Sequence, residues 1–493
     1  MMWASVRIPS DSEAWVKAAA AAAAILGATL RCVQAATVGL NPDEALQLVA
    51  CHQDRFADAV RTMATFHHPP MYLALTYLAR PLLYSEFGAR LIPVVAGSLL
   101  PVILFLWLRP RLGLVGASTA LFATALSHNL ITLSAQVRSY SLAILLAAVT
   151  LLLLDQGIER LRPSRILLAG ISLGLAITTD YSLAFVTPAI TLYGFARLKE
   201  SRAPRACWIA WTGGALAALV IFGALYWFHV RSLPTTAQDF SRSWLKGGFP
   251  VAGGSLLVFL AGASLKQFAY LAGSVAGGVV WLAAFAAALA AASRPWRLLL
   301  VMPFATGLTL SLLRLLPFGR TRHSAIVSIC VAAGLALAAH RWLESRPRFW
   351  LVGLPLVMAL MGVVAGGDLL DIPAGQLDRQ ALRSAPAYLD SVAGHGPPIL
   401  ATREARRLVV CYGLMERRPP LPMESIAGES LEPAELEQTF AQFRRRHGLA
   451  AGDPVYFLEG GFSSVEWPPP RPEGPLRRFG VLRLWRVGGA FSH

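Results

Sequence analysis

Long apolar stretches recur along the first three quarters of the chain, and short polar segments separate them. Each stretch has about 20 residues, which as a helix is long enough to cross a hydrocarbon layer of about 30 Å. The pattern therefore predicts a polytopic α-helical membrane protein with about eleven transmembrane helices. The predicted spans are 18–39, 89–108, 114–131, 137–155, 166–180, 182–196, 207–229, 268–291, 298–316, 324–340 and 349–366.

The pattern changes after residue 366, where charged residues become frequent and apolar runs become short. Such short runs, with helical patterns between them, are typical of a small α/β domain. We therefore predict a transmembrane domain over 1–366 and an extracytoplasmic α/β domain over 367–493. Its predicted strands are 398–401, 408–412, 455–458 and 481–485, and its predicted helices are 378–393 and 433–446.

Composition excludes an ordinary soluble protein. The 493 residues are 55% hydrophobic and 15% charged, with a mean hydropathy of +0.53, whereas soluble domains carry about 25% charged residues. The net charge of +16 would also suit nucleic-acid binding, but the basic residues cluster in alternate short loops. The positive-inside rule places such loops in the cytoplasm. We therefore expect a multi-pass protein of the cell inner membrane, with a cytoplasmic N-terminus and with membrane lipids, not nucleic acid, as partners.

An acidic pair, Asp43 and Glu44, follows the first predicted span and opens an external loop over 41–88. A carboxylate can accept the proton of an attacking hydroxyl, and partial shielding by lipid can bring its pKa into a useful range. The alternative is a solvated helix start, where Asp43 would favour the helix dipole. The spacing alone does not decide between these interpretations.

The same loop carries His67 and His68, followed by two prolines. These histidines could supply a metal ligand or a hydrogen-bond donor. Adjacent residues point to different faces of a helix, so we do not expect both to bind one ion. The prolines fit the rigid opening of a helix at residue 71.

Two basic clusters lie on the predicted external side, against the positive-inside trend. Arg138 and Tyr140 lie where the third and fourth spans meet, and Arg320, Arg322 and His323 precede the tenth span. Arginine forms forked hydrogen bonds to phosphate oxygens, although an arginine that only extends to the membrane interface is the alternative at Arg138. Together the clusters predict an anionic ligand, such as a lipid phosphate, at the outer membrane face.

These motifs, in this order, resemble the GT-C glycosyltransferases of bacteria. The similarity covers about residues 15–345 and is greatest to protein O-mannosyltransferases, the lipid A aminoarabinose transferase and Rgt-type galacturonosyltransferases. It rests on the acidic pair, the His-Pro-Pro element with Tyr72, the segment 86–93, the Arg138/Tyr140 element, the turn 179–181 and the element 319–323.

The resemblance implies transfer of one sugar from a polyprenyl-phosphate carrier to a lipid, glycan or protein acceptor, with inversion at the anomeric carbon. By position, Asp43 would be the general base or would orient the acceptor, and Glu44 would support it. The donor phosphate would be held by Arg138, Tyr140, Arg322 and His323. We also expect the substrate to be contacted by His67, His68, Asp180, Tyr181 and Arg320.

The chain departs from the family pattern at two positions. Gln136 stands where relatives typically have Glu, which removes a candidate metal ligand, and Asp180 stands where relatives often have His before Tyr181. The five cysteines show no metal-ligand spacing. The sequence therefore predicts no cofactor or divalent metal with certainty.

Three other functions fit parts of the pattern. A transporter or flippase of lipid-linked sugars would use Asp43 and Arg138 to bind cargo, but it would place charges near the midplane of its spans. An oligosaccharide polymerase or ligase would act on longer lipid-linked glycans. A catalytically silent scaffold would be compatible with Gln136.

Overall fold

The computed structural model describes residues 10–63, 69–232, 246–250, 253–345, 378–393, 398–426, 430–431, 433–450, 453–460, 464–465 and 475–487. The chain divides into two compact units. We call Met1–Ala35, Met63–Leu75 and Arg90–Leu370 the helical unit, and Ala36–Thr62, Thr76–Ala89 and Asp371–His493 the sheet unit. The predicted boundary at 366/367 and the predicted span 349–366 lie outside the described residues.

Helices make up most of the described chain. In chain order they are α1 Ser10–Thr37, α2 Pro42–Cys51, α3 Phe56–Met63, α4 Pro70–Leu78, α5 Glu86–Ala89, α6 Leu91–Ala125, α7 His128–Ser134, α8 Tyr140–Glu159, α9 Pro163–Thr179, α10 Thr187–Glu200, α11 Arg205–Phe228, α12 Leu256–Ala272, α13 Val275–Ala291, α14 Arg294–Leu312, α15 Ser328–Ser345, α16 Arg379–Ala393, α17 Arg403–Met415 and α18 Pro433–His447. Short 3-10 helices lie at Arg80–Leu82, Tyr181–Phe185, Val230–Ser232, Lys246–Gly248 and Arg322–Val327.

The predicted multi-pass helical architecture is confirmed. In the described part of the chain, six helices are long and apolar enough to cross a membrane, or seven when the bent pair α12–α13 counts as one span. This number is below eleven because α6 contains two predicted spans, because α9 and α10 are short, and because the predicted span 349–366 lies outside the described residues.

A glycine divides α6 where the prediction ends one span and begins the next. Gly113 has φ +65° and ψ −176°, which is not helical, and it separates 91–112 from 114–125. Glycine has no Cβ and adopts positive φ without the strain that other residues would meet. The predicted break between the spans 89–108 and 114–131 is therefore present as a kink at Gly113 within α6, and not as a loop.

One predicted span is wrong. Residues 268–291 do not form a single helix, because α12 ends at Gly273 in the left-handed region (φ +80°) and α13 starts anew after Ser274. The Ser274 hydroxyl accepts a hydrogen bond from the Gly277 backbone N–H at 3.0 Å, and the two helices meet at 111°. A glycine C-cap followed by a serine N-cap ends one helix and begins the next within an apolar stretch.

A buried carboxylate connects α6, α8 and α10. Asp155 is fully buried and accepts hydrogen bonds at 2.7 Å from the Trp107 indole N–H and the Tyr193 hydroxyl. The Nε atoms of Arg111 and Arg197 each lie 3.2 Å from its oxygens. Two arginines from the predicted cytoplasmic clusters therefore also stabilise the packing of three helices.

A second buried charge connects α1 to the end of α6. The fully buried Arg31 donates to the carbonyl oxygens of Ala125 at 2.8 Å and Thr124 at 2.9 Å, and to its own helix at Gly27. The last carbonyls of a helix lack helical partners, and a cation there also interacts favourably with the helix dipole. Arg31 thus caps α6 from a neighbouring helix.

The sheet unit contains a mixed five-stranded sheet in the order β2-β1-β4-β7-β6, and a separate parallel pair, β3-β5. In the larger sheet, β1 is parallel to β2 and β4, whereas β7 is antiparallel to β4 and β6. Leu436, Phe440, Phe443 and Phe457 lie in its core. The strands are β1 Ile399–Ala401, β2 Met423–Ser425, β3 Ser430–Leu431, β4 Val455–Gly460, β5 Ser464–Val465, β6 Arg477–Phe479 and β7 Leu482–Val487.

The predicted α/β class is confirmed, with one element wrong. Residues 408–412 form part of α17 and not a strand. The Thr402 hydroxyl caps this helix by accepting a hydrogen bond from the Ala405 N–H at 3.4 Å, and Ala405, Leu408, Val409 and Tyr412 are buried at helical spacing. A short apolar run fits a strand and a buried helix equally well, so its period alone was ambiguous.

An ion-pair cluster connects the first-loop residues of the sheet unit to α16. The buried carboxylate of Glu86 accepts two hydrogen bonds from Arg383, at 2.8 and 2.6 Å, and lies 3.1 Å from Nε of Arg379. Burial alone would raise the pKa of Glu86, but the hydrogen bond and charge of Arg383, with the charge of Arg379, hold that pKa below its ordinary value. The ionised form therefore stabilises the folded sheet unit.

We expect Glu86→Gln to lower the free energy of unfolding at pH 7 by about 1–3 kcal/mol, since both arginines lose a charged partner but remain partly hydrated. Because the folded pKa is depressed, the stabilisation is complete above the ordinary glutamate pKa of about 4.3 and is lost as the pH falls through the folded pKa. Unfolding midpoints of the full chain at pH 7 and pH 3 would measure this. Glu416→Gln, which removes the partner of the partly exposed Arg418, is the matched control. A difference between wild type and Glu86→Gln that does not become smaller between pH 7 and pH 3 would contradict the assignment.

Candidate functional site

The first predicted basic element lies at the start of α8. Arg138 and Tyr140 are both buried, and the Arg138 guanidinium carbon lies 5.9 Å from the centre of the Tyr140 ring. This is within the range of a cation–π interaction. The helical unit thus holds a positive charge and an aromatic ring together at the point where α7 has ended and α8 begins.

The second basic element follows a sharp turn. Gly319 has φ +111°, in the region that favours glycine, and a Cβ there would lie 3.3 Å from the carbonyl oxygen of Ala263. The chain then enters the 3-10 helix Arg322–Val327, where Thr321 Oγ1 accepts a hydrogen bond from the Ser324 N–H at 3.3 Å. The buried Gln267 side chain donates to the Ser324 carbonyl at 2.9 Å. Turn, cap and cross-link together hold Arg320, Arg322 and His323 in place.

The fold brings these two elements together. The rings of Tyr140 and His323 meet edge to face, with 5.8 Å between their centres. Tyr270, at the end of α12, lies within electrostatic range of Tyr140, Arg320 and Arg322. Residues 138–140 and 320–323 therefore form one cluster in the helical unit, which we call the basic cluster: Arg138, Tyr140, Tyr270, Arg320, Arg322 and His323.

Asp180 lies next to this cluster but has local partners. Its carboxylate accepts hydrogen bonds from the Ser139 hydroxyl and, at 2.8 and 2.6 Å, from the backbone N–H and hydroxyl of Ser182. Asp180 therefore caps the 3-10 helix Tyr181–Phe185 and connects it to the residue between Arg138 and Tyr140. The next residue, Tyr181, forms a hydrogen bond of 2.5 Å between its hydroxyl and Nδ1 of His229. Substrate contact by Asp180 and Tyr181 stays a prediction.

The acidic pair lies in the sheet unit, at the start of α2. Asn41 and Glu44 form a capping box, in which the Asn41 side chain accepts from the Glu44 N–H and the Glu44 carboxylate accepts from the Asn41 N–H, both at 3.0 Å. Glu44 is buried, whereas Asp43 is half-buried in the first turn. The structure thus shows a capping role for Glu44. The catalytic roles of Asp43 and Glu44 stay predictions.

His67 and His68 lie outside the described residues. Among the residues that the structure describes, no three His, Cys, Asp or Glu side chains are grouped so that they could hold a metal ion.

Several residues of the site were not predicted from the sequence. Ser139 and Ser182 bind Asp180, His229 binds Tyr181, and Tyr270 interacts electrostatically with Arg320 and Arg322. No local pattern marks them, because they come from segments that meet only in the fold. Ser139 alone had a signal, since it lies between Arg138 and Tyr140 in the predicted motif.

Comparison with known protein families gives a match to part of the chain. The family described as dolichyl-phosphate-mannose-protein mannosyltransferase matches residues 67–227, which include Arg138, Tyr140 and Asp180. No curated protein sequence matches the chain significantly.

Solved structures match over nearly the whole chain. The crystal structure of ArnT from Cupriavidus metallidurans in the apo state is 15% identical, with a TM-score of 0.54 over 97% of this chain and 98% of that one. The chain has a GT-C fold. The same ArnT bound to undecaprenyl phosphate is 14% identical, with a TM-score of 0.53 over 94% and 97% of the two chains.

A more distant GT-C structure is the Archaeoglobus fulgidus oligosaccharyltransferase tethered to an acceptor peptide. It is 12% identical, with a TM-score of 0.50 over 90% of this chain and 69% of that one. At these identities the likeness concerns the fold. The chain is thus a multi-pass membrane protein with a GT-C fold and a C-terminal α/β segment.

Proposed function

We propose that this chain is an inverting glycosyltransferase that moves a single sugar from a polyprenyl-phosphate carrier to an acceptor at the outer face of the cytoplasmic membrane. The observation that carries the proposal is the basic cluster, in which two segments about 180 residues apart meet on a GT-C fold. Three arginines, a histidine and two tyrosines are the side-chain types that bind a phosphate diester. The ArnT structure with undecaprenyl phosphate shows that this fold can hold such a carrier.

The reaction depends more on groups that stabilise the negative charge of the leaving phosphate than on a general acid that protonates it. The anomeric C–O bond to the carrier phosphate breaks while the acceptor oxygen forms a new bond on the opposite face of the sugar. The leaving group is a polyprenyl phosphate, which gains a negative charge as the bond breaks. Positive side chains already in place around that phosphate stabilise the transition state without reorganisation. We assign this role to Arg138, Arg322 and His323, with Tyr140 supporting Arg138.

The acceptor hydroxyl must lose its proton during transfer, and we assign Asp43 as the general base that accepts it. Asp43 lies half-buried in the first turn of α2, where the helix N-terminus keeps its carboxylate in the ionised form that can accept a proton. Glu44 is committed to the capping box and would support Asp43 by fixing the start of the helix. The acceptor can be a lipid, a glycan or a protein.

The proposed orientation places the N-terminus in the cytoplasm and the C-terminal α/β segment outside. It is supported by basic residues at the ends of helices, between α8 and α9 and between α10 and α11. These are Arg160, Arg162, Arg165, Lys199, Arg202 and Arg205.

The decisive experiment is mass spectrometry of polyprenyl-phosphate lipids from a strain that lacks the protein, with and without the wild-type chain restored. We expect one polyprenyl-phosphate sugar to accumulate in the deletion strain and to disappear on restoration. The purified wild-type protein should then release polyprenyl phosphate from that lipid when a cell-envelope extract of the deletion strain supplies the sugar acceptor. An unchanged lipid pool would overturn the proposal, and accumulation without release would favour a flippase.

Arg138→Gln should weaken binding of polyprenyl phosphate by about ten- to a hundredfold, which is the range for loss of one hydrogen bond to a charged group. The measurement is the dissociation constant of the purified full chain for polyprenyl phosphate. Arg231→Gln is the matched control, because Arg231 is an exposed arginine of the same unit that packs over Trp227. Equal affinities of Arg138→Gln and Arg231→Gln would contradict a donor-binding role for Arg138.

A further inference from the structure

The C-terminal part of the sheet unit binds the chain immediately before α2 at three successive points. Arg379 Nη1 donates to the carbonyl oxygen of Ala36 at 2.7 Å, and Val38 forms an antiparallel bridge with Asp378. The backbone N–H of Leu40 donates to the Tyr412 hydroxyl at 2.9 Å. After Leu40, only residues 41 and 42 remain before Asp43.

The Tyr412 contact is buried from both sides. Tyr412 is 1% exposed and Leu40 is fully buried. A buried backbone N–H that loses its acceptor costs about 1–3 kcal/mol, so this hydrogen bond resists local displacement. Helix α17, which carries Tyr412, also packs along α2.

The Arg379 contact is itself held in place. Its Nε lies 3.1 Å from Glu86, and the same carboxylate binds Arg383 from the next turn of α16. Helix α16 therefore presents Arg379 to Ala36 from a cross-linked position. The segment 36–40 is thus bound by two helices of the C-terminal segment, through Arg379 of α16 and Tyr412 of α17.

These contacts are not needed to start α2. The capping box of Asn41 and Glu44 already satisfies the first N–H groups of the helix from within it. The contacts from Arg379 and Tyr412 instead fix the position of the first turn of α2 within the sheet unit. That first turn carries Asp43.

We propose that Tyr412 and Arg379 are positioning residues for Asp43, and that the C-terminal α/β segment thereby serves the transfer reaction directly. The inference rests on the proposed function of Asp43. A displacement of about 1 Å can lower the rate of a reaction by as much as a hundredfold. Tyr412→Phe should therefore lower kcat about five- to fiftyfold, while the KM for the donor changes less than twofold.

The test is steady-state kinetics of the purified full chain with the donor lipid identified by the deletion strain. Tyr388→Phe is the matched control, since it removes a hydroxyl from a tyrosine of α16 that packs against Phe479. Arg379→Gln is the second variant, because it removes the contact with Ala36 and leaves the Glu86–Arg383 pair; it also covers the case in which Tyr412→Phe does not fold.

The readout that separates positioning from general destabilisation is the double variant with Asp43→Asn. If Tyr412 acts through Asp43, Tyr412→Phe lowers the residual kcat of Asp43→Asn no further, so the two effects are not additive. A wild-type kcat in both Tyr412→Phe and Arg379→Gln, additive losses, or an equal loss in Tyr388→Phe would each overturn the inference. Wild-type protein without any transfer would instead refute the proposed function.

Discussion

Asp43→Asn is expected to lower the rate of sugar transfer by about 10²–10⁴-fold, which is the usual contribution of a general base. Asparagine keeps the shape of the side chain but cannot accept a proton from the acceptor hydroxyl. The affinity for polyprenyl phosphate should change little, because the donor-binding role belongs to the basic cluster of the helical unit.

The measurement is the initial rate of polyprenyl-phosphate release by purified protein, together with the dissociation constant for polyprenyl phosphate. Asp58→Asn is the matched control, since Asp58 is a carboxylate of α3 in the same unit and forms an exposed ion pair of 2.9 Å with Arg61. Exposed pairs contribute little to stability, so this variant should transfer sugar at the wild-type rate. Transfer by Asp43→Asn at that same rate would refute Asp43 as the base, and a loss of donor affinity in Asp43→Asn would point to a role in binding.

Much of the helical unit could be predicted from the sequence because membrane-crossing helices leave a strong local signal. Length and hydropathy located α8, α11 and α14 within four residues at each end, whereas α1 begins eight residues before its predicted span. The breaks inside apolar stretches were harder to locate. The break between the predicted spans 89–108 and 114–131 was located because Arg109 and Arg111 lie between them, whereas the bend at Gly273 has no charged residue within five positions.

The α/β class of the sheet unit was predicted from the sequence, but not all of the chain segments that belong to it. Five of its elements, β1, β4, β7, α16 and α18, agree with the predicted ranges. Its inclusion of 36–62 and 76–89 could not be predicted, because it depends on contacts between residues more than 290 positions apart, such as Glu86 with Arg383. Hydropathy describes each segment by itself and contains no information about such pairs.

Five of the six residues of the basic cluster were singled out from the sequence, although not as a cluster. Arg138 and Arg322 stood out because the predicted topology places them on the external side, where the positive-inside rule disfavours arginine. Their meeting through Tyr140 and His323 is a property of the fold. Tyr270 carried no signal at all, since a tyrosine near the end of an apolar helix is ordinary at a membrane interface.

The positive-inside rule accounts for Arg111 and Arg197 only as topology signals, although both also pair with the buried Asp155. Substitution of Asp155 tests whether these arginines stabilise the fold as well. Asp155→Asn should lower the free energy of unfolding by about 3–5 kcal/mol, the range for breaking a buried ion pair by removal of one partner. The carboxylate is fully buried, and the side chains of Arg111 and Arg197 are 10% and 19% exposed. Asparagine can still accept hydrogen bonds from Trp107 and Tyr193, but it leaves the charges of both arginines without their shared partner.

Thermal unfolding of the full chain in detergent measures this, with Glu159→Gln as the matched control. Glu159 also binds Arg111, but its side chain is 39% exposed, so its loss should cost at most about 1 kcal/mol. If the uncompensated charge is the cause, the double variant Asp155→Asn/Arg197→Gln should recover part of the stability that Asp155→Asn loses, because it removes one of the two buried charges. Equal midpoints for Asp155→Asn and Glu159→Gln would show that Arg111 and Arg197 affect only the orientation of the helices in the membrane. Recovery in the double variant would show that they also stabilise the packing of α6, α8 and α10.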